Sequence, residues 1–316
     1  MTKLSIVDLN LDPGQRATSV ATVSIDGRSV PVPIIGVAGA EDGPRVAITG
    51  GIHGAEYVGI EAARRVGMTV DPAEVRGSLV VVPISNTTAY RTRSIYTSAL
   101  DDRNLNREFP GDVSGTGAQV LANWLFTTVI KPSDYYIDMH GGDMIEALVP
   151  FVLAPKTDNP ALDEASMGMA RACGIQRIIH GGVHGSTVGA AVGAGIPAIL
   201  PEIGGQGVWS EELVTSHMES TLRVLRHLGV LPGEVQPAEG QAVYDTFAWM
   251  RAEVSGLFHP TVAVGDQVQQ GQDVGTIVDY FGNPLQPLRA VATGEVVFLV
   301  TSLAMNDGDP ILAICT

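Results

Sequence analysis

Four short apolar runs limit what this chain can fold into. They are VAITG (46–50), LVVVPI (79–84), YYIDMH (135–140) and AILPEI (198–203), rich in β-branched residues and each ended by glycine or a polar turn. Runs of this length suit strands buried on both faces of a sheet. Between them, 55–68, 116–130, 161–173 and 210–229 carry apolar residues at helical spacing. Strands alternating with helices predict an α/β unit: a mostly parallel mixed sheet flanked by helices. In such sheets, chemistry collects at the carboxyl ends of the strands.

The pattern changes near residue 235. Beyond the linker LPGEVQPAEG (231–240), the stretch 255–279 has turns at GD and QGQD between short apolar runs, and 292–300 and 309–315 continue it. This predicts a small all-β barrel or sandwich. The expected division is a catalytic domain over 1–235 and a β domain over 236–316.

Charge narrows the partners. The net charge is −15, and the three lysines are Lys3, Lys131 and Lys156. So acidic a surface repels nucleic acid phosphates and anionic lipid. No apolar stretch approaches the roughly 18–20 residues needed to span a bilayer, and no secretory signal is evident at the N-terminus. Cys173 and Cys315 lie far apart and give no disulfide framework. A cytoplasmic location is expected; a homo-oligomer stays open.

Four polar clusters fall at or just after strand ends. In GGIHGAEYVG (50–59), His53 lies in a turn and Glu56 at a helix start. That spacing lets imidazole and carboxylate point to one side as zinc ligands. In YYIDMHGGD (135–143), His140 ends a strand and completes a His–Glu–His set, leaving the fourth position of a catalytic zinc for water. Asp138, two residues back, is placed to orient His140. In DDRNLNREFPG (101–111), Asn106 and Arg107 are candidates to clamp a carboxylate, and Arg103 or Arg93 to polarise a carbonyl. In PEIGGQG (201–207), Glu202 is the candidate general base. Of the other histidines, His217 and His227 read as surface or packing groups of a helix, and His180 and His184, which flank GGV before the Glu202 strand, as structural groups rather than neighbours of the pocket.

Together the clusters resemble the succinylglutamate desuccinylase/aspartoacylase family of zinc carboxypeptidase-like hydrolases. GGIHGAE matches its first zinc motif, at His53 and Glu56. RNLNREFPG matches its substrate motif, at Asn106 and Arg107. IDMHGG matches the third zinc ligand, at His140, and PEIGG the catalytic glutamate, at Glu202. The motifs occur in the family's order over about residues 45 to 205. The resemblance implies one zinc per chain and a deacylase that hydrolyses the amide of a small N-acylated amino acid or related carboxylate-bearing substrate. A zinc carboxypeptidase acting on short peptides is the alternative. It also implies a small β domain after the catalytic one.

Two departures matter. Relatives acting on aspartate or glutamate derivatives place an added basic residue shortly before the catalytic glutamate, whereas 185–201 holds no Lys or Arg. A second acidic group on the substrate is therefore not expected. The loop before RNLNR is also longer than in compact relatives, which leaves Arg91, Arg93 and Arg103 in competition for the carbonyl, with Arg93 favoured. The segment 255–300 resembles a biotinyl/lipoyl-type barrel, but no lysine follows Lys156. A carrier role is thereby excluded, and the barrel reads as a lid or spacer.

Overall fold

The structure is a computed structural model describing residues 3–181, 184–236 and 238–316. Pro237 of the predicted linker, and Gly182 and Val183 between His180 and His184, lie outside the described residues. A nine-stranded sheet organises the chain. From one edge its strands run Ala242–Tyr244, Arg177–His180, Phe151–Ala154, Ala198–Glu202, Tyr135–Met139, Glu41–Gly50, Arg76–Val82, Arg28–Ala38 and Gln15–Ile25. The middle strands Ala198–Glu202, Tyr135–Met139, Glu41–Gly50 and Arg76–Val82 are mutually parallel, as the continuous apolar runs predict. The antiparallel pairs lie outside them, with Phe151–Ala154 on one side and the hairpin Gln15–Ile25/Arg28–Ala38 on the other.

Both faces of the sheet are covered. On one face, helices Tyr57–Thr69, Pro160–Cys173 and Glu211–His227 pack on Ile48, Val81, Ile137 and Ile199. On the other, helices Gly117–Leu125 and Thr187–Gly193 pack on Ala47, Val80, Tyr136 and Leu200. Consecutive side chains of each strand therefore enter opposite cores, which is why these strands show no polar alternation. His217, expected at the surface or in packing, is fully buried, and its Nε2 is 2.9 Å from the His140 carbonyl.

After residue 245 the chain is all-β. Strands Phe247–Arg251, Pro310–Cys315, Gly294–Val300 and Gln267–Val268 form one antiparallel sheet. Pro284–Arg289, Asp273–Val278, Gly256–Pro260 and Ala304–Met305 form a second. Phe258, Val274 and Ile277 from one sheet and Val296, Phe298 and Leu312 from the other share one core. Two strands cross the sequence boundary near 235. Ala242–Tyr244 extends the large sheet beside Arg177–His180, and Glu146–Leu148 adds to the C-terminal sheet beside Gly294–Val300.

A charge pair fastens the same junction. Arg177 Nε and Nη2 donate to Glu295 at 2.7 and 2.5 Å, and Glu295 is buried. Glu295→Ala leaves a part-buried guanidinium without its fork partner. It should cost about 2–3 kcal/mol and lower Tm by several degrees in calorimetry. An unchanged Tm would show that the pair contributes nothing.

Candidate active site

The three central parallel strands end side by side, and their ends carry the candidate residues. Glu202 is the last residue of Ala198–Glu202, His140 follows Tyr135–Met139, and His53 follows Glu41–Gly50. The strand pairing continues past the regular sheet as a bridge between His140 and Glu202. The His140 N–H donates to Pro201 O at 3.0 Å, and the Ile203 N–H to His140 O at 3.2 Å.

Glycine sets the approach of the helix that carries Glu56. Gly59 lies in its first turn, and a Cβ there would come within 2.6 Å of the Met139 carbonyl. Only a bare Cα lets the helix sit this close to the strand end. Glu56, at its N-cap, thereby falls between the two imidazoles. Its Oε1 is 2.6 Å from His53 Nδ1, and its Oε2 is 2.9 Å from His140 Nδ1.

The tautomers follow from what lies behind each ring. His140 Nε2 faces Asp138 Oδ2 at 2.9 Å, and His53 Nε2 faces Asn104 Oδ1 at 3.1 Å. Both partners are acceptors, so in the neutral rings each Nε2 carries the hydrogen and each Nδ1 a lone pair. Asp138 is itself fixed. It accepts from Thr49 Oγ1 at 2.6 Å and from Thr187 Oγ1. Two imidazole lone pairs and a carboxylate then converge, all within 4.8 Å, and the buried Glu56 Oε2 has no hydrogen-bond donor. Such an arrangement is repulsive without positive charge at its centre. The residues fit a divalent cation, and two nitrogens with one oxygen are a donor set that suits zinc.

The charged groups of the cluster act on one another. Burial raises the Glu56 carboxyl, but the His140 and His53 charges outweigh it and bring it to about 2. Burial lowers both imidazoles, yet Glu56 for His53, and Glu56 with Asp138 for His140, raise them above the usual value. Glu202 is pushed well up, first by burial, with His140 opposing and Glu56, Glu146 and Asp138 adding to the rise. Its Oε2 is buried without a partner. A cation nearby would pull this carboxyl back down.

The loop 101–111 meets the site from the side. Asn106 is buried and accepts the Thr187 N–H on its Oδ1 at 2.9 Å. Arg107 Nη1 donates to Asn106 O at 2.7 Å. Arg107 is exposed as a whole residue, yet desolvation and then the charge of Arg251 lower its guanidinium, while Glu202 raises it. Arg103 is exposed and bonded to Glu108 at 3.2 Å. Arg93 is exposed in the left-handed cap of helix Thr87–Thr92, with φ 55°, and Arg91 is exposed beside it. These three stay outside the bonded network. His180 lies 3.8 Å from Asp245, and His184 is exposed.

Some neighbours had no expectation attached to them. Thr49 and Thr187 hold Asp138, and Asn104 orients His53; a threonine or asparagine gives no sign of such a role before the strands are aligned. Glu146, six residues beyond His140, is part-buried; desolvation pushes its carboxyl up to about 7, against the Asp143 N–H that it accepts at 2.7 Å. The run HGGDMIE did carry the signal of acids following a ligand.

Among the described residues, no helix is long and apolar enough to cross a membrane.

Comparison with known proteins agrees with this geometry. The chain is 29% identical to the N-alpha-acetyl-L-2,4-diaminobutyric acid deacetylase of Halomonas elongata, over 98% of this chain and 93% of that protein. The structure of a succinylglutamate desuccinylase/aspartoacylase from Rhodobacter sphaeroides superposes with a TM-score of 0.84 at 28% identity, covering 99% of both chains. The product-bound structure of the ectoine utilization protein EutE (DoeB) from Ruegeria pomeroyi does so with a TM-score of 0.87 at 26% identity, covering 98% of both. Residues 42–228, which span every strand end described above, match the model of the succinylglutamate desuccinylase/aspartoacylase catalytic domain. That match takes in more than half of the sequence and all of the candidate site, and the chain belongs to the succinylglutamate desuccinylase/aspartoacylase family.

Proposed function

We propose that this protein is a zinc-dependent deacylase that hydrolyses the amide of a small N-acylated amino acid carrying a second amine. The observation that carries the reading is the convergence of His53, Glu56 and His140 lone pairs, with Glu202, whose buried Oε2 has no partner, at the neighbouring strand end. In this reading the first three hold one zinc per chain. When bound, zinc polarises the amide carbonyl and makes water acidic enough to attack near neutral pH. Glu202 takes the proton from the attacking water and delivers it to the leaving nitrogen. Asp138 holds His140 in the tautomer that keeps Nδ1 free. The amide NH2 of Asn106 and the guanidinium of Arg107 hold the substrate carboxylate. Arg93 is assigned to the oxyanion, which requires its side chain to turn in from the exposed cap. Arg103, tied to Glu108, is left at the rim of the carboxylate site.

The second amine rests on charge. The segment 185–201 has no basic residue to receive an acidic side chain, and Glu146 and Asp143 lie close enough to the site to feel the charge of Glu56. The diaminobutyrate derivative named for the Halomonas relative has this chemistry. Amine release should be measured from N-acetyl-2,4-diaminobutyrate, N-acetylaspartate, succinylglutamate and a panel of dipeptides. The diamino derivative should lead in kcat/KM by about tenfold or more, the worth of one charge-assisted contact. N-acetylaspartate or succinylglutamate in the lead would overturn the selectivity. Dipeptides in the lead would make the protein a carboxypeptidase.

A further inference from the structure

Helix Glu211–His227 turns one face to the sheet, and Val214, His217, Thr221 and Val224 lie buried along it. His217 is an ionisable group in the middle of that stripe, and the reaction proposed above gives it no part. Its Nε2 is 2.9 Å from the His140 carbonyl. A carbonyl can only accept, so Nε2 carries the hydrogen and donates. Nδ1 is then a bare lone pair, buried with no partner among the described residues. One turn on, Thr221 Oγ1 lies 3.6 Å from Met139 Sδ and 3.1 Å from the His217 carbonyl. An imidazole with one nitrogen unpaired costs more to bury than a methionine or leucine would. What it adds is one donor, aimed at the main chain of residue 140.

That main chain lacks other anchors. Strand Tyr135–Met139 ends one residue earlier, and Gly141 and Gly142 follow with no side chains to hold the turn. The His140 carbonyl receives two donors, the Ile203 N–H at 3.2 Å and His217 Nε2 at 2.9 Å, and the imidazole makes the shorter bond. The same helix also meets the element that carries Glu56. Its first residue, Glu211, pairs with Arg65 of helix Tyr57–Thr69, and Arg65 Nη2 lies 2.8 Å from Glu211 Oε2. One helix therefore touches the supports of both His140 and Glu56.

We propose that His217 is a positioning residue of the metal site, whose hydrogen bond fixes the main chain of His140 and with it the place of Nδ1 beside Glu56. This rests on the reading of His53, Glu56 and His140 as zinc ligands. Asp138 sets the rotation of the His140 ring from behind, through Nε2, and His217 sets the backbone from which the ring hangs. Both are needed, because a binding constellation has to be held to within about 0.5 Å. Were His217 only a packing group, a side chain of the same size without a donor would leave metal affinity untouched.

The test separates metal affinity from fold. His217→Met removes the donor at similar volume, and His217→Gln keeps an N–H at about the reach of Nε2. Zinc affinity of the full-length protein is measured by competition with a chromophoric chelator, and Tm is measured on the metal-free form. His217→Met should weaken zinc about 10–100-fold, the usual cost of losing a group that supports a ligand. Its metal-free Tm should stay close to wild type, because the Ile203 N–H still serves the carbonyl. His217→Gln should recover most of the affinity. Cobalt bound in place of zinc should show an altered visible spectrum in His217→Met and the wild-type spectrum in His217→Gln. If His217→Met does not fold, His217→Asn, whose amide stops short of the carbonyl, takes its place in the comparison. Wild-type zinc affinity without the bond, or glutamine no better than methionine or asparagine, would overturn the proposal. A wild type that takes up no zinc would sink the zinc reading and this role with it. Zinc affinity that depends on His217, in a protein that releases no amine from any N-acyl substrate, would leave the role standing and sink the deacylase reading alone.

Discussion

Glu202→Gln should remove most of the turnover while leaving the fold and the metal in place. Glutamine has nearly the shape of glutamate, so Ala198–Glu202 keeps its pairing with Tyr135–Met139 and its bridge to His140. What is lost is a site that can accept a proton. An amine leaves poorly unless it is protonated, so one group must act first as base and then as acid. Asp138 is committed to His140 Nε2 and to two threonine hydroxyls, and Glu56 faces both histidines. Glu202 has a buried oxygen with no partner, and burial raises its carboxyl, so that it holds a proton more readily than a free carboxylate does. General-base removal costs on the order of 10²–10⁴-fold, and kcat should fall by about a hundredfold or more. Metal content, Tm and kcat measured on one preparation decide it. Turnover within about twofold of wild type, well below that range, would end the assignment. Loss of the metal would instead make Glu202 a ligand and leave Glu56 as the base.

Removing the metal should abolish activity and soften the protein together. Chelation should take kcat to background, and one equivalent of zinc should restore it. A ligand bound only by the native state adds about 4 kcal/mol at a thousand times its Kd, so the metal-free form should melt several degrees lower. His53 and His140 hold protons more tightly than free imidazole in the metal-free site, and metal needs them without protons. Uptake should therefore release protons and weaken as pH falls. His140→Ala should be rescued by no amount of zinc, because one of three donors is gone and Asp138 and Glu56 lose the charge they face. Full metal and full activity in His140→Ala would refute the ligand set.

The central strands were legible because each is a β-branched run closed by glycine or a turn, and all four predicted runs lie in the large sheet. The four helical segments also appear, with 116–130 divided into an α-helix to Leu125 and a wider π turn beyond it. The hairpin Gln15–Ile25/Arg28–Ala38 drew no expectation, since the alternation along it is imperfect and one strand is an exposed edge. Local patterns carry no pairing information, so the two strands exchanged across residue 235 could not be read. At the site, placement at strand ends and the family motifs pointed to His53, Glu56, His140 and Glu202 as a group. The sequence offered nothing on Thr49 or Thr187, whose positions depend on strands remote in sequence.

That exchange of strands ties the two regions into one cooperative body. The catalytic portion supplies Glu146–Leu148 to the C-terminal sheet, and the C-terminal portion supplies Ala242–Tyr244 to the large sheet. A chain ended at 235 would bare the flank of Arg177–His180 and orphan Glu146–Leu148, two open edges of the kind that invite aggregation. The C-terminal unit therefore cannot be traded among relatives as a free module. Any graft has to carry a matching strand from within the segment that follows His140, so that segment is constrained at once by the chemistry at its start and by the neighbour it must pair with at its end.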